Sequence, residues 1–325
     1  MSPLMHTMLR GDFLSLVRTD IPMTSRLCEK IIQTLAETYP FMEAEKLTET
    51  DWGRGIWALT VGEGERHVIY SAAHHANEWI TAVLLLKFAE DVAQAYETDG
   101  EIYGIKAKQL LKETVIHLVP MVNPDGVDLV TGAIAPGTAE YEKARRIAEA
   151  FPQIPFPQGW KANLNGVDLN LQYPAGWMIA RELKFSQGFD RPAPRDYVGR
   201  APLDQKESRA LAAYTEDMDP DLVIAWHTQG EVIFWQFRDY QVTGAKLLGE
   251  EFARLSGYSL ADAPYESSFA GYKDWFIQNY RHPGYTVEAG TGENPLPAEQ
   301  FPGIYRDCLP ILVTGAAGLA EQTGI

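Results

Sequence analysis

Short apolar runs rich in β-branched residues recur along this chain of 325 residues, separated by stretches with apolar residues at helical spacing. The apolar runs predict strands at 56–62, 66–73, 114–122, 221–227 and 284–290, with 232–237 as a further candidate. The helical spacing predicts helices at 25–38, 78–96, 243–256, 271–280 and from about Ala298 to the C-terminus. Strands that alternate with helices favour an α/β fold with a mixed, largely parallel sheet.

Two turn-like segments and one irregular region connect these elements. The sequence GEGE at 62–65 predicts a turn between two neighbouring strands, and NPDG at 123–126 predicts a turn after a buried strand. Residues 127–205 are rich in proline, glycine and aromatic residues and show little periodicity. Long irregular segments inside compact domains are often functional, which makes this region a candidate part of a site.

Composition narrows the class of protein. Hydrophobic residues make up 46% of the chain and charged residues 22%, which indicates a soluble globular protein. The formal net charge of -16 argues against nucleic acid or an anionic membrane as a partner, because their phosphates would be repelled. No segment approaches the ~20 apolar residues of a membrane span, and the N-terminus lacks the features of a signal peptide. We therefore expect a cytoplasmic protein, and its two cysteines, Cys28 and Cys308, are consistent with a reducing compartment.

Four polar residues lie at or just after the ends of predicted strands: His75, Asp125, His227 and Glu288. In open α/β sheets ligands gather beyond the carboxyl ends of strands. His75 and Glu78 are three residues apart where a helix is predicted to begin, so both side chains can face one ion. With His227 as a third ligand they form a donor set suited to zinc.

Each of these residues also has an ordinary interpretation. His75 can be a helix-start histidine, and Glu78 an acidic residue favoured by the helix dipole. Glu288 lies in an apolar strand, where a carboxylate is costly unless it is paired or catalytic, and beside a metal it would act as a general base. Asp168 fits as the hydrogen-bond partner of His75, or as a turn-capping residue.

The motifs AHHANEWI, NPDG, GVDLN, AWHTQ and YTVEAG resemble, in order and approximate spacing, those of the zinc carboxypeptidases of carboxypeptidase A type. The resemblance runs from about residue 22 to the C-terminus. It implies one zinc ion bound by His75, Glu78 and His227, with Glu288 as the base. It also implies a single catalytic domain over 22–325, after an N-terminal extension over 1–21, with a sheet of about eight strands.

The chain departs from that family where a terminal carboxylate is bound. The family has an Asn-Arg pair after the Asp of its GVDxN motif, and here Asn170 is followed by Leu171. The family's Arg in HxRE is Asn77 here, and its oxyanion-stabilising Arg aligns with Asn165 or a residue nearby. Leu cannot pair with a carboxylate, so simple carboxypeptidase specificity is not expected.

One branch of the family matches better. The segments HHANEWIT, WKANLNGVDLNLQYPAGW, PRDYVG, HTQGE, AGYKDWF and GENPLP resemble the γ-D-glutamyl-diaminopimelate (diamino acid) peptidases. That resemblance implies hydrolysis of the γ-D-glutamyl–diaminopimelate amide in murein peptides, a small peptide substrate. No cell-wall-binding repeats occur in the sequence, which favours a cytoplasmic role in degrading recycled murein peptides.

Substrate-binding candidates follow from charge and position. Lys273 aligns with the residue that selects the substrate side chain in the family, although a solvated helix lysine is the ordinary interpretation. Arg195 and Arg200 are alternative partners for a carboxylate. Tyr265 lies near the family's mobile substrate-binding tyrosine, although simple spacing places Glu266 there.

Two alternatives to this function stay open at this point. One is an ordinary zinc carboxypeptidase or a small-molecule deacylase of the same fold. The other is an inactive binding module, which the presence of all three ligands and Glu288 disfavours. We expect His67, His74, His117 and His282 to be structural, and the tryptophans, including Trp79, Trp160, Trp177, Trp226 and Trp275, to lie mostly in the core.

Overall fold

A computed structural model describes residues 15–319 of the chain. The strands are β1 Met42–Glu49, β2 Gly55–Val61, β3 Arg66–Ala72, β4 Glu101–Ile102, β5 Ile105–Lys106, β6 Thr114–Val119, β7 Leu222–His227, β8 Val232–Phe234, β9 Ser259–Ala261 and β10 Gly284–Glu288. The helices are α1 Ser25–Thr38, α2 Ile80–Glu97, α3 Ala107–Glu113, α4 Pro124–Val130, α5 Ala139–Ala148, α6 Trp177–Ser186, α7 Lys206–Met218, α8 Ala245–Ser256, α9 Tyr272–Tyr280 and α10 Phe301–Ala317.

Eight strands form one mixed sheet in the order β1-β2-β6-β3-β7-β10-β8-β9. The four central strands β6, β3, β7 and β10 run parallel, so their carboxyl ends share one edge. Strands β1 and β2 add to one side in antiparallel fashion, as β8 does on the other. The predicted α/β fold with a mixed sheet of about eight strands is confirmed.

Helices cover both faces of the sheet. Residues of α1, α2, α8 and α10 pack on one face, and residues of α6, α7 and α9 on the other. Strands β6 and β7 are consequently buried along their whole length, which explains why they read as continuous apolar runs rather than as alternating patterns. The five tryptophans named above are all buried, as predicted, and so are Cys28 and Cys308.

The prediction that β2 and β3 are neighbours is wrong, because β6 lies between them. The intervening GEGE segment packs against the junction of α3 and β6. A Cβ on Gly62 would lie 2.0 Å from the carbonyl oxygen of Thr114, and one on Gly64 would lie 1.9 Å from the carbonyl carbon of Glu113. The two glycines therefore admit the backbone of a third strand, and the segment is a crossing point rather than a hairpin turn.

The NPDG segment is also different from the prediction. Asn123 caps a helix by accepting a hydrogen bond from the backbone N–H of Gly126, and Pro124 occupies the first turn of α4, where a missing N–H costs nothing. The region 127–205 contains α5 and α6 as well, so it is less irregular than its composition suggested. Strand β1 has no counterpart among the predicted strands.

Part of the predicted N-terminal extension packs against the domain. Within the predicted N-terminal extension, Ser15 donates a hydrogen bond to Glu90 of α2 and Val17 is buried in the core. Residues 1–14 and 320–325 lie outside the described residues. Among residues 15–319 no helix combines the length and the apolar content that a membrane crossing requires.

Candidate active site

The candidate metal ligands lie at the shared carboxyl edge of the central strands. His75 follows β3 after a turn at Ala73, and Glu78 ends a short 3₁₀ turn that precedes α2. His227 is the last residue of β7. Glu288 is the last residue of β10 and is the direct register partner of His227. Neighbouring residues of parallel strands project to the same face, so Glu288 stands beside the ligands.

The three candidate ligands face a common point. Nδ1 of His75 lies 2.9 Å from Oε1 of Glu78, and Nδ1 of His227 lies 2.9 Å from Oε2. The two Nδ1 atoms are 3.2 Å apart, and one ligand atom from each residue lies within 4.8 Å of the others. Glu78 and His227 are almost fully buried. Two imidazole nitrogens and a carboxylate that converge in a buried place fit the donor set of a catalytic zinc ion.

The far side of His75 is held by Asp168. Oδ1 of Asp168 lies 3.1 Å from Nε2 of His75, and Oδ2 accepts a hydrogen bond from the backbone N–H of Asp196. A ring nitrogen bonded to a carboxylate leaves the opposite nitrogen free to ligate, which is the usual arrangement around protein-bound metals.

Burial and neighbouring charges shift the pKa values of His75 and Glu288. Burial lowers the pKa of His75, but the carboxylates of Glu78 and Asp168 outweigh burial and raise it to about 9. Burial raises the pKa of Glu288, and the charge of Glu78 adds to this effect. A carboxyl group with a raised pKa binds a proton more readily, as a general base must.

Asn123 holds the loops that carry these residues in place. Its amide group donates to the backbone carbonyls of His74, Lys161 and Ala162. The backbone N–H of Ala76 also donates to the carbonyl of Lys161. The turn that carries His75 and Glu78 is therefore fixed to the loop that carries Lys161.

Lys161 is the functional candidate that the sequence did not reveal. Its Nζ lies 2.9 Å from Oε1 of Glu78, and its side chain is 18% exposed. Asn165, which aligns approximately with the family's oxyanion-stabilising Arg, instead bonds Asp51 and Gln205. The sequence offered one signal for Lys161: it is a basic residue only four positions before Asn165, close to where the family has its oxyanion-stabilising Arg.

Two cavities meet at this site. The inner cavity has a volume of about 200 Å³ and extends past His75 and Thr286 to Lys273. The outer cavity has a volume of about 630 Å³ and is bordered by Gln153, Gln158 and Asn294. The residues that line both cavities are Lys161, Arg195, Phe234, Pro264, Ser267 and Glu288. An elongated substrate that filled both cavities would present its middle to Glu288.

Comparisons with known proteins agree with this geometry. A sequence profile of the zinc carboxypeptidase family matches residues 28–310. The chain belongs to the zinc carboxypeptidase family. It is 42% identical over 284 residues to gamma-D-glutamyl-L-diamino acid endopeptidase 1 of Lysinibacillus sphaericus, an alignment that covers 87% of this chain and 69% of that protein.

Solved structures show the same fold. Thrombin activatable fibrinolysis inhibitor superimposes with a TM-score of 0.72 at 17% identity, over 94% of this chain and 76% of the other. Carboxypeptidase A from Helicoverpa armigera gives a TM-score of 0.70 at 16% identity, over 95% and 78% of the two chains. This zinc carboxypeptidase family member is therefore a hydrolase of the metallopeptidase class, and its family implies a zinc cofactor.

The structure separates the substrate-binding candidates. Lys273 is buried in the inner cavity, where its Nζ donates to Asp274 at 2.5 Å and to the carbonyl of Gln236 at 2.8 Å. Arg195 lies where the two cavities meet and pairs with Asp196. The side chain of Arg200 is 85% exposed, pairs with Asp204 and lines neither cavity.

The remaining candidates differ in distance from the ligands. Nδ2 of Asn170 lies 3.4 Å from Nε2 of His227, and Asn170 lines the inner cavity next to Leu171. Tyr265 is 62% exposed and borders a third cavity of about 560 Å³. Three of the four histidines expected to be structural make polar contacts: His67 and His117 bond each other at 3.0 Å, and His282 lies 3.0 Å from the carbonyl oxygen of Pro220.

Proposed function

We propose that this protein is a zinc-dependent peptidase that hydrolyses the γ-D-glutamyl–diaminopimelate amide of murein peptides. The observation that carries the proposal is the charge of the inner cavity. Four basic residues, Lys161, Lys184, Arg195 and Lys273, and four acidic ones, Asp168, Asp196, Asp274 and Glu288, line it. A cavity with so many charges of both signs suits a ligand that carries both signs, as diaminopimelate does, and not an apolar side chain.

The relative of known activity supports the same substrate class. The name of the Lysinibacillus protein states a γ-D-glutamyl-L-diamino acid bond as its target, and the alignment covers most of both chains. The loss of the family's carboxylate-binding Arg at Leu171 is consistent with a substrate bound differently from an ordinary carboxypeptidase substrate.

His75, Glu78 and His227 would hold the zinc ion, since they converge in a buried place and Asp168 orients His75. When bound, zinc supplies a Lewis acid that polarises the scissile carbonyl and lowers the pKa of water. Glu288 accepts a proton from the attacking water and delivers it to the leaving amine nitrogen. Lys161 lies at the edge of the metal site, where its ammonium group stabilises negative charge that develops on the carbonyl oxygen.

Two cations of the inner cavity would bind the carboxylates of the leaving group. Arg195, like Glu288, lines both cavities and so is suited to the carboxylate next to the scissile bond. Lys273 lies only in the inner cavity and is suited to the distant carboxylate of diaminopimelate. Charge-assisted hydrogen bonds of this kind contribute roughly 1.5–3 kcal/mol each.

The test is product identification with zinc-loaded protein. We expect L-Ala-γ-D-Glu-meso-diaminopimelate to release free diaminopimelate, detected by mass spectrometry, with kcat/KM at least about 100-fold above that for a hippuryl amino acid. Equal or faster cleavage of the hippuryl substrate would instead identify an ordinary carboxypeptidase.

Glu288→Gln is the matched control for this assay. The variant keeps the shape of the side chain and all three metal ligands, so it should retain one zinc per chain while kcat falls by roughly 100-fold or more. Wild-type turnover in this variant would exclude Glu288 as the base.

A further inference from the structure

The end of the inner cavity contains an ion pair with unused hydrogen-bonding capacity. Lys273 and Asp274, the second and third residues of α9, are both buried and pair at 2.5 Å. A lysine ammonium group has three donors, and those of Lys273 reach Asp274 and the carbonyl of Gln236, which leaves one. Asp274 accepts from Lys273 and from the backbone N–H of Gly271, which leaves acceptor sites on both carboxylate oxygens.

We propose that this pair recognises a zwitterion: Lys273 binds the distal carboxylate of the diamino acid and Asp274 binds its distal ammonium group. This inference rests on the proposed function and names a residue, Asp274, as a determinant of specificity. A carboxylate and an ammonium group on one carbon can each meet the opposite charge while the Lys273–Asp274 contact stays intact. A ligand with only one of these charges would meet repulsion from the like-charged member of the pair, in a place where screening by water is weak.

The position of the pair suits the length of the ligand. The inner cavity follows β10 from Glu288 past Thr286, and the stem of Lys273 packs against Gly284, where a Cβ would lie 3.4 Å from Cγ of Lys273. Gly284 is four residues from Glu288, a span of about 13 Å along the strand. The stereocentres of diaminopimelate are separated by four carbon–carbon bonds of about 1.5 Å each, or about 5 Å in an extended chain. The distal carboxyl group and a hydrogen bond of about 2.8 Å at each end extend this reach to roughly the same length, so a leaving group whose near end is at Glu288 directs its far end toward Lys273 and Asp274.

The experiment uses four γ-D-glutamyl amides whose amino acids differ only in distal charge. Meso-diaminopimelate carries both charges, lysine only the ammonium group, 2-aminopimelate only the carboxylate, and norleucine neither. For the zinc-loaded wild type we expect kcat/KM for diaminopimelate to exceed that for lysine and for aminopimelate by about 10- to 150-fold, the effect of one charge-assisted hydrogen bond. Aminopimelate hydrolysed as fast as diaminopimelate would overturn the role of Asp274.

Two variants give a reciprocal result that a purely structural role cannot produce. Lys273→Met leaves the charge of Asp274 and should shift preference to the lysine amide. Asp274→Asn leaves the charge of Lys273 and should shift preference to the aminopimelate amide. Lys246→Met, which removes an exposed lysine of α8, is the control and should keep the wild-type order.

The outcomes separate the two proposals. Hydrolysis of all four amides at similar rates would refute the zwitterion site and leave the peptidase assignment standing. No hydrolysis of any amide by protein with a full zinc content would refute the proposed function, and the inference with it. If Asp274→Asn fails to fold because Asp274 also caps α9, the wild-type comparison of diaminopimelate with aminopimelate still decides.

Discussion

At the scale of single residues, Glu78 and Asp168 at the candidate metal site each contact a basic side chain. Oε1 of Glu78 is shared by His75 and Lys161, and Oε2 faces His227. Burial alone would raise the pKa of Glu78, but these neighbours hold it well below its usual range. The adjacent His74 is different: both of its ring nitrogens lack a hydrogen-bond partner among the described residues, and burial holds its pKa well below the ordinary value. A neutral His74 adds no positive charge to a site that must attract a metal cation.

Lys161 gives the residue-scale prediction. Lys161→Met removes the ammonium group that lies against Glu78, so kcat should fall by about 100- to 1,000-fold, as for the loss of one oxyanion-stabilising donor. Zinc affinity, measured by competition with a fluorescent chelator, should not fall, because the ammonium group repels a nearby cation. Lys161→Arg should restore part of kcat. A variant that lost zinc and activity together would show that Lys161 only supports the metal ligands.

At the scale of elements, the short helix α4 and its capping residue connect the site to the rest of the domain. Helix α4 places Asp125 and Asp128 against Arg54, and Asp128 also accepts hydrogen bonds from the backbone and side chain of Ser25 at the start of α1. Its capping residue Asn123 reaches the loops of His75 and Lys161. Helix α4 and its capping residue thus connect the start of α1, the residue before β2 and two active-site loops.

Helix α7 carries a buried acid with a predictable effect on stability. Glu207 lies in the first turn of α7 and accepts a hydrogen bond from Asn163, and burial raises its pKa to about 7. The folded state therefore binds a proton that the unfolded state releases above its ordinary pKa near 4.5. The contribution of Glu207 to stability is greatest below pH 4.5 and is lost as the pH rises to about 7.

Glu207→Gln tests this effect, because the amide has the same shape and does not titrate. We expect the variant to gain stability relative to the wild type between pH 5 and pH 8, by up to about 3 kcal/mol in the free energy of unfolding. Urea unfolding of both proteins at the two pH values measures it. An equal difference between variant and wild type at both values would mean that Glu207 is already ionised at pH 5.

At the scale of the whole molecule, the sheet brings together groups that are far apart in the chain. His227 follows Glu78 by 149 residues, and Glu288 stands beside His227 only because β10 pairs with β7 in register. The two core clusters that hold this sheet consist of residues far from the ligands as well as near them. The fold should therefore exist without the metal, whereas hydrolysis should not.

Metal removal gives the whole-molecule prediction. After dialysis against a chelator the far-ultraviolet circular dichroism should be unchanged, and hydrolysis of the murein tripeptide should be lost. One equivalent of zinc should restore activity and raise the melting temperature, since a ligand at 100 times its Kd adds about 2.7 kcal/mol to stability. Full activity in protein shown by elemental analysis to lack metal would refute the zinc proposal.

The sequence by itself determined the local features of this protein. Apolar runs located β2, β3, β6, β7 and β10 within a few residues, and the spacing of His75 and Glu78 indicated a pair that faces one ion. These features depend on neighbours in the chain, through side-chain alternation and the geometry of a helical turn. The family motifs extended this to the fold and to the whole set of ligands.

Only the tertiary structure decided which distant groups meet. It inserted β6 between β2 and β3, and it placed Lys161 rather than Asn165 beside Glu78. It directed Arg195 into the cavities and Arg200 into solvent, although the two are five positions apart in the sequence. Such choices depend on strand order, loop packing and burial, which arise from many contacts between residues far apart in sequence, and no local pattern encodes them.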